Sequence, residues 1–336
     1  MWPFSIKPKE IKEIERAYNV ELRQVTPEKF KNNFGCFCVD AYGGVTGLDL
    51  RYCGITYLRP LISLVNLKVL YLNNNQISDL TPLMKLVNLK KLSLYDNELT
   101  NLNVLNELIK LRELNISNNQ ITDLKPLMNL INLKELFFSN NRITYNKNRS
   151  PNIEPLAKLT RLRVLVLNNN QITDLTPLMN LFNLEELYLS NNQITDLTPL
   201  MNLFSLEELY LSNNQITDLT PLKNLVNLEK LSVFNNQITN LRPLFKLLNL
   251  EKLNLANNQI TDLDPLMNLF NLKELYLLNN QLKNLPSRIL KLNIPIKWQY
   301  DYKDKGVYLN GNPLETPPIK IVKKGHKAIV SYFNKL

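Results

Sequence analysis

The sequence contains very few of the residues that carry out catalysis or bind metals. Its 336 residues include one histidine, His326, three cysteines and eight glycines. A single histidine excludes a histidine-rich metal site, and a cysteine nucleophile would need a base for which His326 is the one candidate. Three cysteines are an odd number in a long chain, which argues against a disulfide framework. The sequence therefore disfavours an enzyme and predicts no catalytic residue, cofactor or metal.

Long apolar stretches are also missing. No run of 18 apolar residues occurs, so the sequence predicts no membrane-spanning helix. Residues 1–7 lack the long hydrophobic core of a secretory signal. We therefore expect a cytoplasmic protein, with export by a route that lacks a cleavable signal as the open alternative.

Positive charge is concentrated at one end of the chain. The formal net charge is +10, and residues 283–336 contain eleven basic but three acidic side chains. A nucleic-acid-binding protein usually spreads its basic residues along the contact surface. The distribution therefore disfavours nucleic acid or an anionic membrane as the partner, although the lysine-rich end keeps both as alternatives.

The most abundant pattern is a repeat of 22 residues rich in leucine and asparagine. One copy spans residues 184–205, and the next two begin at Leu206 and Leu228. Leucines at positions 4 and 6 of the unit predict a short strand with one buried face, and Thr-Pro-Leu at positions 15–17 predicts a helical turn. Counted in this way, eleven units begin at Val45, Leu67, Leu89, Leu111, Leu133, Leu162, Leu184, Leu206, Leu228, Leu250 and Leu272.

Two polar residues recur with the unit. Asparagine stands at position 9, where a buried amide can donate and accept hydrogen bonds between neighbouring turns. Aspartate at position 13 is expected to cap the following turn rather than to bind calcium. Because one unit cannot bury its own leucines, the units must stack into a solenoid with capped ends.

The reactive side chains have structural explanations within this pattern. Cys36 and Cys38 project from one face of a predicted strand, and two thiols do not complete a zinc site. Cys53 takes position 9 of the first unit. We therefore expect three small buried cysteines, and a solvated His326 among lysines.

Both ends of the array depart from the repeat. Apolar residues at helical spacing follow Lys9, and Thr26 before a proline predicts a second helix. Near the other end, Gly325 interrupts a lysine-rich helical segment. The predicted organisation is an N-terminal cap of helices and a strand, a solenoid of about 11–12 repeats and a C-terminal helical cap, over residues 1–44, 45–314 and 315–336.

The repeat resembles the leucine-rich-repeat family in its 22-residue, internalin-like form, over residues 45 to about 314. The resemblance implies an α/β fold, a right-handed horseshoe-shaped solenoid. Its parallel β-sheet would be concave, with short 3₁₀ or α turns on the convex side and caps at both ends. It also implies a protein–protein interaction module.

The carboxyl-terminal residues resemble a narrower group. Trp298-Gln-Tyr300 and Gly306-Val-Tyr-Leu309-Asn-Gly-Asn312 are similar to the end of the repeat domain of bacterial Roco proteins, in which a Ras-like GTPase domain follows. The chain has no Gly-x-x-x-x-Gly-Lys-Ser/Thr loop, so nucleotide chemistry is not implied. The alternative function is that of a regulatory or sensor repeat domain in a Roco-like GTPase system. This domain would act without a GTPase domain of its own.

The concave face is the predicted binding surface. Eleven strands about 4.8 Å apart form a surface on the order of 50 Å long, suited to a protein rather than a small-molecule substrate. Exposed aromatic residues from neighbouring units mark interaction sites, whereas the alternative is that they pack across strands and stabilise the sheet. The candidate partner-binding residues are Tyr71, Tyr95, Phe137, Tyr188, Tyr210, Phe234, Tyr276, Glu185, Glu207, Arg112 and Lys134.

Charge on this face changes along the array. Position 2 is basic in early units, as in Arg112 and Lys134, and acidic in later ones, as in Glu185 and Glu207. Such a division would orient a partner, although duplication of one unit would produce the same acidic run. The insertion at residues 145–152 lengthens one unit, and inserted loops either carry function or are merely tolerated.

Overall fold

The computed structural model describes residues 7–143, 153–299 and 305–335. The chain forms two compact units, residues 1–170 and 171–336. The insertion at 145–152 lies outside the described residues. Among those residues, no helix is both long and apolar enough to cross a lipid bilayer.

The first unit begins with elements that differ from the repeat. Helix α1 buries Ile11 and Ile14, which lie three residues apart on one face. Strand β2 runs antiparallel to β3, the first repeat strand, and carries the buried thiols of Cys36 and Cys38. These elements are α1 (Lys9–Tyr18), β1 (Arg23–Gln24), α2 (Pro27–Phe30) and β2 (Cys36–Val39).

The repeat strands of the first unit pair in parallel at equivalent repeat positions, so position-4 leucines face each other, as do Leu70 and Leu92. Leu136 pairs with Leu165, so the same register is kept across the repeat that carries the insertion. The strands are β3 (Val45–Asp49), β4 (Val69–Tyr71), β5 (Lys91–Ser93), β6 (Glu113–Asn115), β7 (Glu135–Phe137) and β8 (Val164–Val166). Short 3₁₀ turns follow at Arg59–Leu61, Thr81–Lys85, Asn103–Glu107, Lys125–Leu127 and Glu154–Lys158.

The second unit repeats this plan. Its strands are β9 (Glu186–Tyr188), β10 (Glu208–Tyr210), β11 (Lys230–Ser232), β12 (Lys252–Asn254), β13 (Glu274–Tyr276), β14 (Ile296–Lys297) and β15 (Val307–Tyr308). All pair in parallel, and β15 lies between β13 and β14. Its 3₁₀ turns are Thr176–Leu178, Thr198–Leu200, Thr220–Leu222, Arg242–Leu244, Asp264–Leu266 and Ser287–Leu292. The predicted solenoid of parallel strands and short turns is confirmed.

The position-9 asparagines bond neighbouring turns, as predicted. The Asn97 amide nitrogen donates to the carbonyls of Leu72 and Leu94, at 3.0 and 3.1 Å, and its oxygen accepts from the Ile77 amide at 3.0 Å. Asn236 makes the same set of bonds in the second unit. Each amide thus bonds to backbone groups that would otherwise be buried without a partner. Each such unpaired group would destabilise the fold by about 1–3 kcal/mol.

Position 8 has a role that the sequence reading missed. Its residues adopt left-handed backbone conformations, for example Asn213 with φ of +56°. Asparagine tolerates this conformation better than most residues, which explains its recurrence where the chain leaves the strand. The side chains also form a ladder, because Asn235 donates to Asn213 and Asn213 donates to Asn191, both at 2.7 Å.

The aspartates at position 13 cap the turns as expected. Asp196 accepts a hydrogen bond from the backbone amide of Thr198 at 2.8 Å, and Asp174 does the same for Thr176. These bonds satisfy the first amide of the 3₁₀ turn.

Two short helices lie at the carboxyl-terminal end of the described residues. Helices α3 (Ile319–Val322) and α4 (His326–Phe333) are separated by Gly325, whose φ is +86°. His326 is partly buried, and its Nδ1 accepts a hydrogen bond from the Ile296 amide at 3.3 Å. The expectation of a solvated histidine was therefore wrong, because this side chain joins α4 to β14.

Candidate functional site

Each unit presents one face of its sheet. Side chains alternate along the repeat strands, so the leucines at positions 4 and 6 are buried while positions 3, 5 and 7 project from the opposite side. Leu209, for example, is fully buried between the half-buried Glu208 and Tyr210. We call the side formed by positions 3, 5 and 7 the strand face.

Two tyrosines on the strand face of the second unit lie against each other. The rings of Tyr188 and Tyr210 stack with centroids 4.7 Å apart and planes 7° apart. The Tyr188 hydroxyl lies 2.9 Å from a Glu186 carboxylate oxygen and 3.2 Å from one of Glu208. The Tyr210 hydroxyl donates to Glu208 at 3.0 Å. The stacking supports the alternative that these rings stabilise the sheet, yet both retain exposed area.

The Glu208 carboxylate beside the pair is held in the ionised form. Burial alone would raise the pKa of Glu208, but hydrogen bonds from Lys230 and Tyr210 outweigh it and hold the pKa below its ordinary value. The Lys230 ammonium lies 2.7 Å from the carboxylate. Burial and the adjacent Glu186 raise the pKa of Tyr188, so its hydroxyl keeps its hydrogen at neutral pH.

A depression lies farther along the same face. Position 7 of three consecutive 22-residue repeats is occupied by Phe234, Ala256 and Leu278. A small side chain therefore lies between two large ones. Ala256 is 5% exposed, so its methyl group forms a floor. We call this depression the Ala256 socket; it has a volume of about 330 Å³ and is completed by Lys252, Asn254 and Tyr276.

Paired charges border the socket. The Lys252 ammonium lies 2.9 Å from a Glu274 carboxylate oxygen and 5.6 Å from the centre of the Tyr276 ring. Tyr276 also stacks on Tyr308, with centroids 5.2 Å apart. The predicted residues Phe234 and Tyr276 are thus brought together around one cavity.

The strand face of the first unit is partly covered. Tyr71, a candidate partner-binding residue, is 8% exposed because Phe30 of α2 stacks on it at 5.6 Å. The Arg51 guanidinium lies 4.9 Å from the same ring and pairs with the buried Asp49. The expectation that Tyr71 forms an open contact was wrong, because the preceding cap elements pack over the first repeats.

The other candidates of the first unit are more exposed. Tyr95 and Phe137 are half-buried, and the Tyr95 hydroxyl accepts a hydrogen bond from Asn118 at 2.8 Å. Arg112 and Lys134 are exposed at position 2. In the second unit, the position-2 candidates are the half-exposed Glu185 and the exposed Glu207. Whether these residues contact a partner stays a prediction.

The first unit also contains a polar depression that the sequence reading did not identify. Its volume is about 610 Å³, and Lys68, Lys90 and Lys110 line it together with Asp40. Asp40 is already engaged, because it accepts hydrogen bonds from the amides of Tyr42 and Gly44. The basic residues at position 2 in early units supply two of these lysines.

Exposed apolar residues form a second pattern that sequence reasoning missed. They occur at positions 18 and 21, after the 3₁₀ turn and outside the strand face. A recurring apolar residue that the core does not require was the available signal. In the second unit the large members are Met179, Phe182, Met201, Phe204, Val226, Phe245, Leu248 and Phe270.

The cysteines do not form a reactive site. Burial raises the pKa of the Cys36 thiol to about 11 and raises that of Cys38. Cys53 is half-exposed, which contradicts the expected burial, and its thiol lies 3.4 Å from the Arg51 carbonyl oxygen. Within residues 7–143, 153–299 and 305–335, no three His, Cys, Asp or Glu side chains are placed to hold a metal ion.

Stacked repeats of 22 residues, joined by buried asparagines, define a leucine-rich repeat solenoid. The chain belongs to the leucine-rich-repeat family. The model of this family, described as leucine-rich repeats in two copies, matches residues 44–83, 87–129, 109–148, 131–180, 182–224, 204–246, 226–268 and 248–291. Comparison with curated proteins gave no match.

Solved structures of bacterial proteins show the same fold. The internalin InlF of Listeria monocytogenes is 31% identical with a TM-score of 0.68, covering 83% of this chain and 84% of its own. The internalin InlC2 of the same species is 40% identical with a TM-score of 0.52, covering 58% and 81%.

A plant receptor shares the fold alone. The ectodomain of the Arabidopsis receptor kinase HAESA, solved in complex with a peptide hormone, is 24% identical with a TM-score of 0.67. The match covers 87% of this chain and 52% of the receptor chain. Leucine-rich-repeat homologues mediate protein–protein interaction.

Proposed function

We propose that the protein binds a protein or peptide partner on the strand face of its second unit, residues 171–336. The observation that carries this proposal is the combination of the stacked Tyr188 and Tyr210 with the Ala256 socket on one face. Half-buried tyrosines beside an apolar depression are the usual composition of an interface hot spot. The interaction role of leucine-rich-repeat relatives supports the proposal.

The first unit is the weaker choice for the main contact. The packing of Phe30 on Tyr71 removes one aromatic residue from its strand face, and Lys91 pairs there with Glu113. Tyr95 and Phe137 stay candidate contacts on the strand face of the first unit.

Capture of partners from a lysate tests the proposal. The test variant carries Tyr188→Ala, Tyr210→Ala and Phe234→Ala, and we expect it to lose a partner that the native protein retains. A matched control carries Phe182→Ala, Phe204→Ala and Phe270→Ala, which remove the same number of aromatic rings outside the strand face. Thermal unfolding of both variants controls for misfolding.

The opposite pattern would overturn the proposal. If the strand-face variant is folded and keeps the partner while the control loses it, the apolar row at positions 18 and 21 is the binding surface. The Roco-like regulatory role stays a prediction, and reconstitution with a separately encoded GTPase domain tests it. Cytoplasmic location is likewise proposed, and fractionation of the source cells tests it.

A further inference from the structure

We propose that the first unit, residues 1–170, carries a second interaction surface that binds an acidic polypeptide segment. The surface lies at the amino-terminal edge of the repeat strands. Position 2 of four consecutive repeats is occupied there by Lys68, Lys90, Arg112 and Lys134. We call these four side chains the basic row. The inference goes beyond the proposed function, since it assigns a charged partner to a different unit of the chain.

The backbone holds the basic row in register. The Lys90 amide donates to the Lys68 carbonyl and the Arg112 amide donates to the Lys90 carbonyl, both at 2.8 Å. The Lys134 amide continues the series, since it donates to the Arg112 carbonyl at 2.7 Å. Neighbouring members therefore lie one strand spacing apart, about 4.8 Å. All four side chains are exposed, so their charged groups can reach a ligand.

The charges of the basic row are not neutralised within the part of the chain that the structure describes. None of the four side chains forms a hydrogen bond or an ion pair there. The acidic neighbours at position 3 are already engaged, because Glu113 forms an ion pair with Lys91 and Glu135 also has a partner. Like charges on neighbouring strands destabilise a sheet, so the stability of the fold does not explain the row.

Duplication of one repeat does not explain the basic row either. Lys68 is followed by valine, Lys90 by lysine and Arg112 by glutamate, and position 2 itself changes between lysine and arginine. A copied repeat carries its neighbours with it, as in the identical residues 184–192 and 206–214. Positive charge is therefore the property that these four repeats share at position 2.

One end of the basic row lines the polar depression of about 610 Å³. Lys68 and Lys90 line it from position 2, and Lys110 lines it from position 22. The Lys110 ammonium donates to the side-chain oxygen of Asn88 at 2.8 Å, which orients the lysine. Asp40 supplies the one carboxylate of the lining and accepts hydrogen bonds from two backbone amides. The lining therefore keeps an excess of positive charge.

A segment that carries carboxylates is the ligand that this arrangement favours. Lysine and arginine side chains donate charge-assisted hydrogen bonds to carboxylates. From Lys68 to Lys134 there are three strand steps, about 14 Å, which four or five residues of an extended chain span. Nucleic acid is the less favoured polyanion, because positions 22, 2 and 3 of these repeats carry no aromatic ring on which bases could stack.

Fluorescence anisotropy with the whole protein tests the inference. The probe is a labelled 12-residue peptide in which glutamate and serine alternate, and its control has glutamine in place of every glutamate. We expect the native protein to bind the glutamate peptide about tenfold or more tightly than the glutamine peptide. This binding should weaken as the salt concentration rises from about 50 to about 300 mM, because salt screens exposed charges.

Matched variants locate the contact. The test variant should bind the glutamate peptide about tenfold or more weakly; it carries Lys68→Gln, Lys90→Gln, Arg112→Gln and Lys134→Gln. The control variant should bind as the native protein does; it removes the same charges from exposed positions at or beside the 3₁₀ turns of the second unit, with Lys223→Gln, Arg242→Gln, Lys246→Gln and Lys291→Gln. Thermal unfolding checks the fold of both. If the test variant is unstable, Lys68→Gln with Lys90→Gln gives a second readout at the depression.

Several results would overturn the inference. One is equal binding of the glutamate and glutamine peptides, and another is an equal loss of binding in the test and control variants. Tighter binding of a single-stranded oligonucleotide of twelve thymidines would make the basic row a nucleic-acid surface instead. The variant with Tyr188→Ala, Tyr210→Ala and Phe234→Ala should keep the glutamate peptide, so failure of the proposed function is distinguishable from failure of this inference.

Discussion

The rings of Tyr188 and Tyr210 lie parallel, 4.7 Å apart, and both hydroxyls reach the Glu208 carboxylate, at 3.2 and 3.0 Å. The strand spacing of a parallel sheet places equivalent side chains about 4.8 Å apart, so identical residues at position 5 stack almost ideally. The pair is therefore both a stabilising contact of the sheet and a rigid aromatic surface.

Removing the shared hydroxyl should affect the carboxylates more than the sheet. In Tyr188→Phe the rings can still stack, while Glu186 and Glu208 lose the donor between them. We expect a loss of about 1 kcal/mol in the free energy of unfolding. Chemical denaturation measures this loss, and the Glu208 carboxyl pKa, followed by NMR, should rise. An unchanged pKa would mean that Lys230 and Tyr210 hold the Glu208 carboxylate without help from Tyr188.

Acid should weaken the Glu208–Lys230 pair. The folded-state pKa of Glu208 lies below its ordinary value of 4.5, so the pair stabilises the fold above that pH. Its contribution is lost as the pH falls through the folded-state pKa. We expect the native protein to lose more stability between pH 7 and pH 3 than Glu208→Gln does. Equal losses in urea denaturation would contradict the assignment.

The buried asparagines at position 9 should contribute far more to stability than exposed asparagines. Asn236→Ala leaves backbone groups of neighbouring turns without partners, so we expect a loss of about 1–3 kcal/mol in the free energy of unfolding. Asn202→Ala, at an exposed position, should change it by less than about 0.5 kcal/mol. Equal effects of the two substitutions in guanidinium denaturation would show that the position-9 asparagines add little to stability.

Tyr71 should behave as a core residue. Tyr71→Ala removes a ring packed against Phe30, Cys36 and Cys38, and we expect a loss of about 3 kcal/mol in stability. Tyr210→Ala, on the open strand face, should cost less stability but more partner binding. A Tyr71→Ala variant that binds poorly and melts normally would restore Tyr71 as a contact residue.

The three thiols should differ in reactivity. Cys36 and Cys38 are buried with raised pKa values, whereas Cys53 is half-exposed although its pKa is also raised by burial. A thiol reagent at pH 8 should modify Cys53 first in the native protein and all three after denaturation. Peptide mass mapping identifies the modified residue, and early labelling of Cys36 would contradict the packing of β2.

Most of the architecture could be predicted because the same pattern of strand and turn residues recurs in every repeat. Leucines at fixed positions predict strands, turns and their register, and a buried asparagine such as Asn236 requires bonds to neighbouring turns whatever surrounds it. The left-handed conformation of Asn213 was not predicted, although its recurrence at position 8 was a signal. His326 was misjudged because its partner, the Ile296 amide, lies thirty residues away.

The sequence by itself determined the leucine-rich-repeat fold and the aromatic residues available to a partner, since both follow from a local periodic pattern. Only the tertiary structure decided which of those residues are open. Tyr71 and Tyr210 occupy the same repeat position, yet Phe30 packs on Tyr71. The Ala256 socket likewise exists only because three units place a small side chain between two large ones, and its depth comes from their stacking rather than from any single unit.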